Sequence, residues 1–118
     1  QPKDIAFAVS ETLVGNLNNQ TAIQALVVSI SKLHKESYLK TIDASMSTFH
    51  DHIFKQINVP TLILVGEKDT LTPPSMALNI HKLIKNSKFS IIDEAGHLSN
   101  IENPKSFNYK VLQFLKEL

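Results

Sequence analysis

The spacing of apolar residues changes along the chain, and the change falls near Asn58-Val59-Pro60. Before that point apolar residues recur every three or four positions, and no stretch alternates apolar and polar residues as a half-buried strand does. This spacing predicts helices that each carry one apolar stripe. The predicted stripes consist of Ile5, Val9, Leu13 and Leu17; of Ala22, Ile23, Leu26, Val27, Ile30 and Leu33; and of Leu39, Ile42, Met46, Phe49 and Ile53.

Short polar segments predict the boundaries of the first two helices. Residues 15–19 contain Gly and Asn, and we expect them to end the first helix. Thr21 is the predicted N-cap of the second helix, because its hydroxyl can accept a hydrogen bond from a free backbone N–H. On this pattern alone, residues 1–56 are also compatible with an independent helical bundle.

After Pro60 the pattern predicts strands. The run Thr61–Val65 is continuous, apolar and rich in β-branched residues, and Gly66 ends it. Such a run is typical of a strand buried on both faces of a parallel sheet. Phe89–Ile92 has the same character and is predicted as a second strand.

Proline marks the start of the two helices predicted in this half. Pro73 and Pro74 follow Thr72, a predicted N-cap, and Pro104 follows Asn103, which is predicted to cap the last helix. A strand, a helix, a second strand and a second helix with short loops predict a crossover between parallel strands. The fold class is therefore α/β, with a helical segment in front of it.

Composition excludes several classes of protein. A chain of 118 residues with 42% hydrophobic and 19% charged residues is typical of a globular domain and not of a disordered tail. Twelve basic and eleven acidic residues leave a formal charge of +1, which argues against nucleic acid as a partner. No apolar run approaches the ~20 residues that span a bilayer. The absence of Cys excludes a disulfide scaffold and is compatible with a cytoplasmic location.

No metal site and no cofactor are predicted. His50-Asp51-His52 places two imidazoles close together in the sequence. Side chains two positions apart on a helix diverge by ~200°, however, so these imidazoles cannot share a zinc ion. We interpret the segment as a polar helix end.

The candidate chemistry lies where the two predicted strands end. Asp69 comes four residues after Val65, and His97 comes five residues after Ile92. Neighbouring parallel strands are ~5 Å apart and present their carboxyl ends at the same edge of the sheet. Each residue has a simpler interpretation by itself, as a turn aspartate or a solvated histidine. Their equivalent positions after consecutive strands predict instead a carboxylate that orients an imidazole base.

These residues are part of a longer pattern. The stretch from Val59 to Asp69, then Thr72-Pro73, Ala95-Gly96-His97-Leu98, and Glu102-Asn103-Pro104 with Phe107, resembles the end of the α/β-hydrolase superfamily. The resemblance covers residues 57–118 almost continuously and implies that Asp69 and His97 are the acid and the base of a catalytic triad. It also implies that residues 1–56 are the helical cap and the helix that follows it. The residues after His97 are similar to those of enol-lactonases and carboxylesterases.

The nucleophile of such a triad is missing from this sequence. The family presents a Ser in a Gly-x-Ser-x-Gly turn upstream of the cap, and Gly15, Gly66 and Gly96 form no such turn. We therefore expect a fragment, inactive alone, of a serine-type hydrolase for small carboxylic esters, thioesters or lactones. Dehalogenase, epoxide-hydrolase, carbon–carbon hydrolase and perhydrolase chemistry stay open, as does a non-catalytic binding protein. We also expect the fragment to self-associate, because the inner edge of Thr61–Val65 is left for pairing.

Overall fold

A computed structural model describes residues 2–46 and 51–118. Helices precede Pro60, and strands alternate with helices after it, as the apolar spacing predicts. The helices before Pro60 are α1 (Pro2–Leu13), α2 (Gln20–Ser31), α3 (Lys35–Met46) and α4 (Asp51–Phe54). The elements after it are β1 (Thr61–Gly66), α5 (Pro74–Leu83), β2 (Ser87–Ile92), α6 (Ser99–Glu102) and α7 (Pro104–Lys116).

The two strands form a parallel pair, which confirms the predicted topology. Their register runs from Thr61 opposite Ser87 to Gly66 opposite Ile92, so both strands end at the same edge of the sheet. The prediction that β1 is buried on both faces is wrong for this chain, because only Val65 and Gly66 are buried and the preceding four residues are half-buried. Among the described residues β1 pairs with β2 alone, so neighbouring elements shield its side chains from solvent only in part.

The apolar core of the helical half lies between the end of α1 and α2. Its buried residues are Val14, Ala22, Ile23 and Leu26, which confirms the central part of the stripe predicted for α2. Leu98, the residue after His97, packs against this cluster. The core of the helical half therefore reaches the loop that carries the predicted base.

The stripe predicted for α1 is wrong at Ile5 and Leu17, which are more than half exposed, whereas Leu13 packs against the core. Among the described side chains of this helix the buried ones are Ala6 and Ser10, followed by Val14 just beyond its end. The hydroxyl of Ser10 donates to the carbonyl of Ala6 at 2.7 Å, so this buried polar group is satisfied within the helix. Small side chains let a helix approach its neighbours closely, and a stripe defined by large aliphatic residues overlooks them.

Two of the three predicted helix caps are wrong. α2 begins one residue before Thr21, and its N-cap is Asn19, whose side chain accepts from the backbone N–H of Ala22 at 3.1 Å. The N-cap position of α5 is Pro73 rather than Thr72, and it has no side-chain cap. The third cap is confirmed, because Asn103 accepts from the backbone N–H of the third residue of α7 at 3.2 Å.

The stripes predicted for the second and third helices are only partly continued in the structure. The third predicted stripe is divided between α3 and α4, and its residue Phe49 lies outside the described residues, as does His50. Leu33 and Leu39 are more than half exposed. Across residues 2–46 and 51–118, every helix is too short or too polar to cross a bilayer.

Candidate active site

Asp69 and His97 are brought together by the parallel pairing of β1 and β2. Asp69 lies in the loop after β1, and His97 lies in the loop after β2. The Nδ1 atom of His97 is 3.0 Å from Oδ2 of Asp69, which is a hydrogen-bonding distance. The predicted proximity of this carboxylate and imidazole is therefore confirmed, although they are 28 residues apart in the sequence.

The carboxylate of Asp69 accepts four hydrogen bonds from three residues. Its Oδ1 atom accepts from the backbone N–H groups of Leu71 and Thr72, at 3.0 and 2.9 Å. Its Oδ2 atom accepts from the Thr72 hydroxyl at 2.9 Å and faces His97 at 3.0 Å. Asp69 is thus both a turn residue, which was the simpler interpretation, and the partner of the imidazole. The turn orients the carboxylate that the histidine contacts.

The environment of Asp69 favours its ionised form. Burial raises the pKa of this carboxyl, since only 6% of the residue is exposed. The hydrogen bonds from the Thr72 N–H, from the His97 ring and from the Thr72 hydroxyl outweigh that cost and lower the pKa below its ordinary value. The carboxylate is therefore negatively charged at neutral pH.

His97 is fixed by contacts on both its backbone and its ring. Its backbone N–H donates to the carbonyl of Leu13 at 2.9 Å, which ties it to the end of α1. The ring nitrogen Nδ1 faces the Asp69 carboxylate, so we assign the proton of the neutral ring to Nδ1 on the basis of this partner. The lone pair is then on Nε2, and 33% of the side chain is exposed. This is the arrangement of an imidazole that can accept a proton from a neighbouring group.

Backbone and side-chain contacts hold the two loops against each other. The backbone N–H groups of Glu67 and Lys68 donate to the carbonyls of Ile92 and Ala95, at 3.0 and 2.8 Å. The backbone N–H of Glu94 donates to the Glu67 carboxylate at 2.9 Å, and the Glu94 carboxylate pairs with the Lys68 ammonium. Hydrogen bonding to Glu94 raises the pKa of Lys68, so the ammonium remains charged. These contacts continue the sheet into the loops that carry the dyad.

Glycine is required where these loops meet the end of β1. A Cβ atom on Gly66 would lie 2.1 Å from the carbonyl oxygen of Gly96 and 2.3 Å from that of Ala95. A Cβ atom on Gly96 would lie 2.2 Å from the backbone nitrogen of Gly15. Backbone atoms cannot move aside as a flexible side chain can. The absence of Cβ atoms therefore lets three backbone segments approach closely beside His97.

Two residues of the site, Thr72 and Glu102, belong to the family pattern in the sequence but were not predicted to contact the dyad or its loops. Thr72, predicted as a helix cap, contacts both members of the dyad, and its Oγ1 is 3.1 Å from His97 Nδ1. Glu102 accepts from the backbone N–H groups of Gly96 and Gly15, at 2.9 and 2.8 Å. A signal for Thr72 exists, because a hydroxyl three residues after a turn aspartate commonly bonds within the same turn. The partners of Glu102 are distant in sequence and gave no such signal.

The dyad lines an open pocket, and no metal-binding cluster of described residues accompanies it. Within residues 2–46 and 51–118, no three His, Cys, Asp or Glu side chains lie close enough to hold a metal ion. Asp69 and His97 line a pocket of about 350 Å³, together with residues of β1 and α5. The dyad is therefore open on one side to a group from another part of the protein or from a ligand. The apolar residues that line this pocket are Ile63, Leu64, Val65, Met76, Ala77 and Ile80.

Alignments with curated relatives cover more than half of this chain but a much smaller share of each relative. A 2-hydroxy-6-oxononadienedioate/2-hydroxy-6-oxononatrienedioate hydrolase of Cupriavidus pinatubonensis is 31% identical over 84 residues, which are 70% of this chain and 29% of that protein. A pimeloyl-acyl-carrier-protein methyl ester esterase of Neisseria meningitidis is 29% identical over 68 residues, which are 58% of this chain and 26% of that protein. The chain thus spans under a third of the length of these relatives.

Solved structures share the fold. The crystal structure of a bromoperoxidase from Bacillus anthracis superposes with a TM-score of 0.87 at 23% identity, over 97% of this chain and 44% of that one. MenH from S. aureus is 40% identical with a TM-score of 0.55, over 58% of this chain and 25% of that one. The profile of the alpha/beta hydrolase fold family matches residues 10–104. The chain therefore belongs to the α/β-hydrolase fold family.

Proposed function

We propose that this chain supplies the acid and the base of a serine-type hydrolase, with His97 as general base and Asp69 as the residue that orients it. The observation that supports this most strongly is the 3.0 Å contact between His97 Nδ1 and Asp69 Oδ2. An ionised, hydrogen-bonded carboxylate at that distance holds the proton of the neutral ring on Nδ1 and stabilises the imidazolium. The Nε2 lone pair is then available to the reaction.

The proposed reaction proceeds through an acyl-enzyme. A Ser hydroxyl, supplied by another part of the protein, transfers its proton to Nε2 of His97 while its oxygen attacks the acyl carbon. The carbonyl becomes an oxyanion, and the imidazolium gives its proton to the departing alcohol or thiol as the carbonyl re-forms. Water then repeats the sequence, releases the acid and returns the proton from His97 to the Ser. In each half-reaction Asp69 keeps its charge and balances that of the imidazolium.

The proposed substrates are small carboxylic esters, thioesters or lactones. The Neisseria meningitidis relative, an esterase by name, supports the ester among these. A second candidate reaction is hydrolysis of a 2-hydroxy-6-oxo dienedioate. It is favoured by the relative from Cupriavidus pinatubonensis, which aligns with 70% of this chain. Both reactions use the same His97–Asp69 dyad and differ in the bond that is cleaved.

We further propose that residues 1–56 serve as the cap of the hydrolase and the helix that follows it. Their helices α1 to α3 precede the strand–helix core in the chain. The Leu13 carbonyl accepts from the backbone N–H of His97, and Leu98 packs on the core of the helical half. The end of α1 is therefore next to the loop of His97, and this proximity supports a role of the helical half in controlling access to the dyad.

The test uses the complete gene product and a panel of short-chain p-nitrophenyl esters, acyl thioesters, lactones and 2-hydroxy-6-oxononadienedioate. We expect turnover of at least one ester-type substrate and stoichiometric labelling of one Ser by a fluorophosphonate. His97→Ala should abolish both, because an unactivated Ser hydroxyl is a weak nucleophile. His34→Ala is the matched control, since His34 is an exposed histidine in front of α3, and it should behave as the parent does.

Each result has a defined meaning. Turnover of the dienedioate alone would replace the ester proposal with the second candidate. Near-normal turnover by a folded His97→Ala protein would contradict the assignment of the base. Binding without turnover or labelling by the complete gene product would favour a non-catalytic binding protein.

A further inference from the structure

Glu102 joins two loops that are far apart in the sequence and adjacent in the fold. Its Oε1 atom accepts from the backbone N–H of Gly96 at 2.9 Å, and its Oε2 atom accepts from the backbone N–H of Gly15 at 2.8 Å. Gly96 precedes His97, whereas Gly15 lies beyond the end of α1. A single carboxylate thus bridges the loop of the predicted base and the helical half.

A separate contact joins the same two loops. The backbone N–H of His97 donates to the Leu13 carbonyl at 2.9 Å, so a direct hydrogen bond joins the two loops one residue after Gly96. A Cβ atom built on Gly15 would lie 2.5 Å from the Gly96 nitrogen, which shows how closely the two backbones approach. The carboxylate of Glu102 satisfies the two N–H groups that this close approach would otherwise leave without an acceptor.

Glu102 is itself positioned by the residues that follow His97. It is the last residue of α6, and its backbone N–H donates to the Leu98 carbonyl at 3.0 Å. The side chain is half-buried, so water competes only partly for its oxygens. The short helix α6 therefore brings the Glu102 carboxylate back against the loop that contains Gly96 and His97.

We infer that Glu102 is a positioning residue for His97: by bridging Gly96 and Gly15 it holds the base loop against the end of α1 and sets the orientation of the imidazole toward Asp69. Glu102 makes no direct contact with Asp69 or the His97 ring among its described hydrogen bonds. Its effect is transmitted through the backbone of Gly96. The inference deepens the proposed function, because it assigns the helical half a part in orienting the base.

The first test is Glu102→Gln in the complete gene product. An amide has one acceptor oxygen and one donor nitrogen, so it can serve one of the two backbone N–H groups and must oppose the other with a donor. We expect kcat to fall roughly 10- to 100-fold with KM changed less than about 3-fold, because small misplacements of a catalytic group lower the rate of the chemical step. Glu117→Gln, which removes an exposed carboxylate paired with Lys88, is the matched control and should retain the parent kcat.

The second measurement does not depend on turnover. The His97 Nδ1–H proton, held by Asp69, should give a low-field NMR resonance that is assigned by its loss in His97→Ala. We expect this resonance to shift or broaden in Glu102→Gln and to stay unchanged in Glu117→Gln. Gly15→Ala should cause a similar change, because its Cβ would push the Gly96 nitrogen away from the bridge. This variant also serves if Glu102→Gln does not fold.

The outcomes separate this inference from the proposed function. If the parent protein hydrolyses nothing but the resonance changes in Glu102→Gln, the proposed hydrolase activity fails and the positioning role stands. If the parent is active and both its kcat and its resonance survive Glu102→Gln, the positioning role is wrong and the hydrolase proposal stands. A Gly15→Ala protein that matches the parent in both measurements would contradict the coupling to the helical half.

Discussion

The hydroxyl of Thr72 donates to Asp69 Oδ2 at 2.9 Å, and that same oxygen lies 3.0 Å from His97 Nδ1. Thr72 Oγ1 is also 3.1 Å from the ring nitrogen, so the three groups contact one another pairwise. The backbone N–H of Thr72 donates to the other carboxylate oxygen at 2.9 Å. One residue therefore binds both oxygens of Asp69 and fixes the plane of the carboxylate that faces the imidazole.

Replacing the Thr72 hydroxyl should destabilise the dyad. Thr72→Val keeps the shape of the side chain but removes a donor to a buried carboxylate, and it should lower the free energy of unfolding by about 1–3 kcal/mol. The pKa of Asp69 should rise, because one of the hydrogen bonds that lower it is lost. Urea unfolding and NMR titration of the Asp69 carboxyl measure the two effects. Thr72→Ser retains the hydroxyl and is the control; equal stability of the Val and Ser variants would show that this hydrogen bond contributes little.

Acid should remove the stability that Asp69 contributes. Its pKa in the folded protein is lower than in the unfolded chain, so its contribution is fully present above the ordinary aspartate pKa of about 3.9. The contribution is lost as the pH falls from that value toward the lower, folded pKa. The difference in unfolding free energy between the parent and Asp69→Asn should therefore shrink as the pH falls below about 4. Urea unfolding as a function of pH measures it, and a difference that grows as the pH falls below about 4 would contradict the direction of the pKa shift.

A side chain at Gly66 should disturb the loops that carry the dyad. Gly66→Ala would place a Cβ 2.1 Å from a backbone carbonyl oxygen, so the backbone must shift. We expect a loss of roughly 1–3 kcal/mol in unfolding free energy, which is the usual cost of overpacking. Ser75→Ala, at an exposed position of α5, is the control and should be nearly neutral. Thermal or urea unfolding gives both values, and equal stabilities would show that the two loops can separate at little cost.

Asn103 both caps α7 and contacts the loop after β2, and two substitutions can separate the contributions of these contacts to stability. The Asn103 side chain accepts from the Ser106 N–H at 3.2 Å and donates to the Asp93 carbonyl at 3.1 Å. Asn103→Ala removes both contacts and should destabilise the protein by about 1 kcal/mol or more, the usual cost of a lost N-cap. Asn103→Asp keeps the cap and loses the donor, so it should lie closer to the parent. An Asp variant as unstable as the Ala variant would assign the main effect to the contact with Asp93.

The 118-residue chain should self-associate when it is studied by itself. Within the described residues β1 pairs with β2 along one edge, and exposed apolar side chains include Val59, Leu112 and Leu115. A free strand edge and exposed apolar surface both favour association between copies. Sedimentation velocity should show a weight-average mass that rises with concentration. A monomer at every concentration would contradict the prediction.

The sequence by itself determined the order of the strands and helices and the two residues of the dyad, because apolar spacing and positions after predicted strands are visible along the chain. The apolar, β-branched run Thr61–Val65 predicted the position of β1, and the Asn103-Pro104 pair predicted the start of α7, although the burial expected for β1 and the other two helix caps were wrong. The positions of Asp69 and His97 after consecutive strands predicted their contact, because parallel strands end at the same edge of a sheet.

Only the tertiary structure decided which side chains complete the site. The buried face of α1 contains Ala6 and Ser10, and no pattern of large apolar residues indicates it. Thr72 has the sequence features of a helix cap, but its hydroxyl bonds to Asp69 and also lies 3.1 Å from His97 Nδ1, a contact that depends on where the loop after β2 lies. Glu102 binds a backbone group 87 positions away, at Gly15. Such contacts depend on the approach of distant backbone segments, and the spacing of residues along the chain carries no information about that approach.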